Sequence, residues 1–157
     1  MSDARFEDGA ERPLRLMAVT QEDLQVLSAL VQDAVLSASD MRWDRGRRRF
    51  ALLLNRFRWE DCPAAERLGR PYERVRSVLT VEDVQKVASQ GFDRDDADQV
   101  LSVLSVAFEP GAEGSGRVVV TLAGDGALAF DVECLEIGLH DVTRPYAAPS
   151  GKVPRHP

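Results

Sequence analysis

Long apolar runs are the first thing this chain lacks. No stretch of its 157 residues approaches the roughly 18 apolar positions a membrane-spanning helix requires. Cysteine is scarce: Cys62 and Cys134 lie far apart without a metal-type spacing. Two reduced thiols are therefore expected rather than a disulfide or a zinc site. Histidine is equally scarce. His156 lies in the terminal tail and His140 stands between Leu139 and Asp141, so a Ser or Cys nucleophile has little choice of base. The glycine-containing stretches "GAEGSG" and "GDG" lack the Lys-Ser/Thr of a phosphate loop and do not link a strand to a helix. The opening "MSDARFEDGAERP" is acidic and has no apolar centre, unlike a secretory signal, so the cytoplasm is the expected location. No repeat of fixed period is visible. Lysine is rare beside arginine, which codon bias alone can produce, and phosphate recognition is not argued from it.

What is present is ordinary for one globular domain. Hydrophobic residues make up 44% and charged residues 29% of a chain long enough to bury a core. The formal charge of −6 argues against generic binding of nucleic acid or acidic membranes by the whole molecule.

The organising stretch runs from Asp33 to Trp59 and reads as one long β-hairpin. Asp44-Arg45-Gly46-Arg47 suits a reversal, with Gly46 supplying positive φ and Asp44 bonding the downstream backbone. Phe50, Leu52 and Leu54 share one face, and Ala51, Leu53 and Phe57 the other, as in a central strand covered on both sides or one whose second face meets a helix. Its flanks hold Arg42, Arg45, Arg47, Arg48, Arg49, Arg56 and Arg58, with Trp43 and Trp59 beside them. The plainer reading is that these arginines solvate a hairpin end and guard a β edge. The sharper one is an anion or partner contact, in which the tryptophans and Tyr72 could stack bases.

Elsewhere, Leu14, Leu16 and Ala18 alternate like a short strand. Thr20 and Asp23 resemble a capping box opening a helix with Leu24, Leu27, Leu30 and Val31 on its inner stripe. "EDCPAAERLGRPYE" reads as a loop with one helical turn at Ala64 to Leu68. Val75, Ser77, Leu79 and Val81 form a strand face, with a turn or bulge at Glu82-Asp83 that shifts the apolar set to Val84 and Val87. Val100 to Phe108 is a strand with Leu104, Val106 and Phe108 on one face. "AGDGA" joins Val118, Val120 and Leu122 to Leu128, Phe130 and Val132 through an expected type I′ Asp-Gly turn. Past Cys134 the alternation slips to Leu135, Ile137 and Leu139, which fits a bulged strand or a short helix. The proline-rich "TRPYAAPSGKVPRHP" reads as an extended arm or tail.

Charge is divided along the chain. Arg42 to Arg76 carries eleven arginines against five acids, and Ser77 to Val142 carries three bases against thirteen acids. Either the two signs occupy separate faces and steer a partner, or antiparallel strands interleave them into pairs; the second is preferred. Asp93, Asp95, Asp96 and Asp98 could offer oxygens to Ca²⁺, but the central glycine and closing glutamate of an EF-hand are missing. A solvated acidic turn is the simpler account. Glu133 and Glu136 could form a carboxylate pair, but on a strand they face opposite sides, and on a helix such residues more often just solvate it.

Four segments, "LRLMAVTQEDLQVLSALVQDAV", "RRRFALLLNRFRWED", "VLSVLSVAFEPG" and "LAGDGALAFDVECLEIGLHDV", together resemble the bacterial, largely alphaproteobacterial family catalogued as domain of unknown function 2948. The resemblance runs from Leu14 to about Val142 and implies a single-domain cytoplasmic protein. It brings no assigned activity, cofactor or catalytic residue, and "ERLGRPYERV" looks like a loop insertion.

The expectation is therefore an α+β domain over residues 14–142, with a flexible segment 1–13 and a tail 143–157. It should have a curved, mostly antiparallel sheet of about seven to eight strands and one main amphipathic helix near the N-terminus. The expected function is non-enzymatic binding or scaffolding through protein–protein contacts, with another protein or a copy of itself as partner. Nucleic-acid or polyanion binding through residues 42–58 is the alternative, and a small hydrolase or metal enzyme stands third. No cofactor, metal, catalytic residue or membrane partner is expected.

Overall fold

The computed structural model describes residues 12–154. The loose segment expected over residues 1–13 thus falls almost wholly outside the described part, as does His156.

A first strand, β1 (Arg15–Ala18), leads into helix α1 (Gln21–Leu30). The Thr20 hydroxyl accepts the Asp23 N–H at 3.1 Å, so the predicted cap forms. Its reciprocal half does not, because the Asp23 carboxylate lies 3.5 Å from Val19 N instead. Leu24, Leu27 and Val31 are buried and tie the helix to the sheet. A second tie runs from Val106 N to Ser28 Oγ (2.9 Å).

The helix does not run into one long hairpin. At Asp33 the backbone turns through φ 63° and its N–H donates to Val103 O (2.7 Å). A separate strand, β2 (Val35–Ser37), and a 3-10 turn (Ala38–Asp40) follow before the hairpin proper, β3 (Met41–Asp44) and β4 (Arg49–Phe57). The reversal lies where the sequence places it, between Asp44 and Arg49, but its left-handed residue is Arg48 (φ 54°) and not Gly46. β4 pairs with β2, β3 and β5 (Glu73–Val81), so it is central as expected. Leu52 and Leu54 are 0% exposed, whereas Ala51 and Leu53 on the opposite face are half-buried.

Between β4 and β5 lie a 3-10 turn (Trp59–Asp61) and helix α2 (Cys62–Leu68), starting two residues before the expected Ala64 and closed by left-handed Gly69. The turn expected at Glu82-Asp83 is there, with Asp83 at φ 57°, and β6 (Val84–Gln90) follows; its own register slip, between Val84 and Lys86, lies just beyond the expected place. β7 (Val100–Pro110) departs from the predicted face. Its ladder slips between Val103 and Ser105, so Leu101, Val103 and Val106 are buried while Leu104 is only half-buried. After a short 3-10 turn (Ala112–Gly114), β8 (Gly116–Leu122) and β9 (Ala127–Val132) form the predicted hairpin. Positive φ falls on Gly124 and Asp125, and Leu122 N donates to Gly126 O (2.8 Å). The reversal is therefore centred one place upstream of Asp125-Gly126.

Residues 133–136 are neither bulged strand nor helix. They form a bend that carries the chain from β9 across to β10 (Ile137–Asp141), which pairs with β1 and β5. Tyr146–Ala147, in the proline-rich stretch, adds a two-residue strand β11 to β5.

Among the described residues the eleven strands belong to one sheet, unclosed, in the order β1-β10-β5-β4-β2-β7-β8-β9-β6, with β11 attached to β5 and β3 to β4. Every pairing is antiparallel. The sheet is larger than seven or eight strands and the protein more β-rich than the α+β expectation. Several strands are too short to leave a periodic signal, which explains the undercount.

Candidate functional site

The seven arginines flanking β4 divide into two populations. Arg56 follows Phe50, Leu52 and Leu54 on the inward face, since side chains two apart share a side. It is 0% exposed, which overturns its reading as a solvated flank. Its Nε donates to Ser77 Oγ (2.9 Å), and Nη1 and Nη2 donate to the two oxygens of Glu60 (2.9 and 2.8 Å). Nη2 also reaches Asp141 Oδ1 at 3.0 Å. Ser77 Oγ donates to that same oxygen at 2.6 Å, and Leu14 N donates to Asp141 Oδ2 at 2.9 Å. Burial opposes the Arg56 charge, but the Glu60 hydrogen bonds and the Glu60 and Asp141 charges outweigh it and raise its pKa.

Arg58 is also buried and donates to Glu73, while Arg70 grips Asp61 with two bonds of 3.1 Å. Trp59 Nε1 donates to Gln32 O (3.0 Å), and its ring meets Phe57 edge-on at 4.7 Å. These side chains lock β4, β5, β10 and the α2 loop together. Arg56, Arg58 and Trp59 are engaged inside the protein.

The other population lies at the hairpin end. Arg49 donates from Nε to both oxygens of Glu82 (2.8 and 2.9 Å). Arg48 pairs with Glu133 (2.9 and 2.8 Å) and approaches Asp83 at 3.8 Å. The hydrogen bonds from Arg48 and Gln85, then the Arg48 charge, hold the Glu133 carboxyl below its ordinary value. Burial, then Asp83 and Glu82 nearby, push Glu136 up. Arg47 stays exposed near Asp44 at 3.9 Å, and Arg42 and Arg45 are exposed. Basic and acidic halves therefore meet as pairs at Arg48, Arg49 and Arg56, the interleaved arrangement.

Beside this end lies a surface groove of about 540 Å³, lined by Trp43, Arg45, Arg48, Val84, Gln85, Lys86 and Val87. Three cations surround an apolar floor, and no carboxylate is among its lining residues. The half-buried Trp43 ring sits 6.3 Å from Phe50, whose ring is 4.9 Å from Phe130, so the floor is continuous with the core. The Val84 N–H donates to Arg48 O (2.8 Å), fastening the hairpin end to the start of β6. Sequence reasoning found Trp43, Arg45 and Arg48 but missed the β6 wall. Its only trace was the apolar shift to Val84 and Val87, with Lys86 a rare base in an acidic half.

Other candidates lie elsewhere. Asp93 and Asp96 accept from the backbone of Asp95 (2.9 Å) and Asp98 (3.2 Å), shaping their own turn. Among the described residues no group of three or more His, Cys, Asp or Glu is disposed to hold a metal ion. Cys62 and Cys134 are free, and the hydrogen bond to Asp83 raises the Cys134 thiol. His140 stands in β10 opposite Val78 and Arg15. No helix among the described residues is long and apolar enough to cross a membrane.

Fold and groove together define a β-rich, single-sheet protein with a cationic recess where a hairpin end meets an edge strand. Across residues 14–156 the chain matches the family described as protein of unknown function (DUF2948), and it belongs to that family. No curated protein and no solved structure matches it.

Proposed function

We propose that the protein is a non-enzymatic, cytoplasmic binding domain that takes a protein partner in the groove between the hairpin end and β6. One observation carries this reading: Arg45 and Lys86 stand beside an apolar floor that holds a tryptophan, with no carboxylate among the lining residues, while the third lining cation, Arg48, is already paired with Glu133. A cationic rim over an aromatic floor suits a partner offering an apolar anchor flanked by acids. The test is affinity capture from the source cell after nuclease treatment, comparing the wild-type protein with an Arg45→Glu, Lys86→Glu double variant. A protein should co-elute with the wild type and be lost with the variant. The same proteins on both baits would overturn the reading.

The alternative, polyanion binding by residues 42–58, draws on Arg42, Arg45 and Arg47, which are exposed beside Trp43. Capture that disappears on nuclease treatment would favour it.

A further inference from the structure

Of the strands paired on one side only, β1 has four residues, β3 four and β11 two, whereas β6 has seven. The unpaired edge of β6 borders the groove, since Val84, Gln85, Lys86 and Val87 form one of its walls. Opposite them stand Trp43 and the cationic hairpin end. The hydrogen bond from Val84 N to Arg48 O closes the start of this edge. From Lys86 to Gln90 the register with β9 is unbroken, so beyond that closure β6 is regular.

Exposed edges are commonly guarded by lysine, proline or a bulge. In β6 both guards present, Lys86 and the irregularity after Val84, sit at the same end. Val87-Ala88-Ser89-Gln90 carries neither charge nor proline. Among the described residues no other strand pairs with this edge.

We propose that the β6 edge accepts an extended acidic segment of a partner protein as an added strand, its alternate side chains entering the groove. This rests on the groove reading above and names its ligand class. Main-chain hydrogen bonds to residues 86–90 would supply affinity. An apolar side chain against Trp43 and Val87, with carboxylates facing Arg45 and Lys86, would supply selectivity. A second copy of this chain is the poorer occupant. Two copies meeting along β6 would bring Arg45 and Lys86 of each against their own kind. Nucleic acid would meet the cations but has no peptide backbone to continue the ladder.

The probe is a capped heptapeptide of alternating glutamate and valine, with two controls: lysine in place of glutamate, and backbone N-methylation at alternate residues. Binding is followed by amide resonances and hydrogen exchange. The glutamate peptide should slow exchange of amides within residues 86–90 and lose binding to the Arg45→Glu, Lys86→Glu variant. The N-methylated form should bind at least about tenfold more weakly, as expected from losing two or three backbone hydrogen bonds. Binding that N-methylation leaves unchanged, without slowed exchange in β6, would overturn strand addition while leaving the groove reading intact. Equal binding of the lysine peptide, no binding of any peptide, or a concentration-dependent dimer protected along β6 would each overturn the proposal. The capture experiment judges the groove reading separately.

Discussion

Arg56 is the residue whose removal should be felt most. It is wholly buried and held by Ser77, Glu60 and Asp141, while the Asp141 side chain is itself 5% exposed. Deleting one member of such a set leaves an unpaired charge in a poorly hydrated place. Arg56→Ala should therefore destabilise the fold by about 3–5 kcal/mol, read from denaturant unfolding. Ser77→Ala removes only a neutral bridge and should cost about 1–3 kcal/mol. If Arg56→Ala unfolds like the wild type, the network contributes nothing to stability. Glu136 offers the opposite sign. Its carboxyl is raised above its ordinary value of 4.5 by burial and by Asp83 and Glu82, so the folded state holds its proton more tightly than the unfolded chain. The stability this represents is present at low pH and lost as pH rises through the raised value. Glu136→Gln should hence raise Tm at pH 7, and the gain should shrink on acidification and vanish by about pH 3, well below the ordinary glutamate pKa, where both states are protonated. At this scale the sequence was half legible. The parity of Phe50, Leu52 and Leu54 already places Arg56 inward, but its partners come from positions 60, 77 and 141, which no local pattern connects.

At the scale of elements, the hairpin β3–β4 lies where alternation and turn chemistry put it, and its inner face is dry. The detail of its turn was not legible. Gly46 looked like the residue needing freedom, yet Arg48, the last residue of the turn before β4, takes the left-handed conformation, its N–H donating to Arg45 O at 3.2 Å. Gly46→Ala should thus be tolerated within about 0.5 kcal/mol, since its φ is not left-handed and an added Cβ would meet nothing closer than Asp44 Oδ1 at 3.6 Å. A loss much above that in thermal unfolding would show that the turn does depend on Gly46. Gly91 behaves differently. It has φ +76°, and a Cβ there would come within 2.5 Å of Asp125 O, so the end of β6 and the β8–β9 turn could not keep their approach. Gly91→Ala should cost about 1–3 kcal/mol through backbone strain alone, with more from the clash. Elements set by long-range pairing were the ones misread. β2 and β11 are too short for periodicity to reveal, and the slip in β7 depends on β8 beside it.

For the whole molecule, the division of charge along the chain decides the class of partner. A run of eleven arginines against five acids suggests a polyanion binder when read linearly. Folding cancels much of it: Arg48 meets Glu133, Arg49 Glu82, Arg56 Glu60 and Asp141, Arg58 Glu73, and Arg70 Asp61. What remains free at the hairpin end is a short cationic rim on a protein of net charge −6. Nucleic-acid affinity grows with the number of phosphates neutralised, and a rim of a few cations displaces few counterions while the rest of the surface repels the polymer. Labelled single-stranded RNA and duplex DNA should therefore show no saturable binding even at low ionic strength. An acidic peptide, small enough to feel only the rim, should bind, and its affinity should fall modestly as salt rises. Tight RNA binding that falls steeply with salt would mean that more of the arginines are available than their pairing allows. The groove would then have to be read as part of a polyanion site.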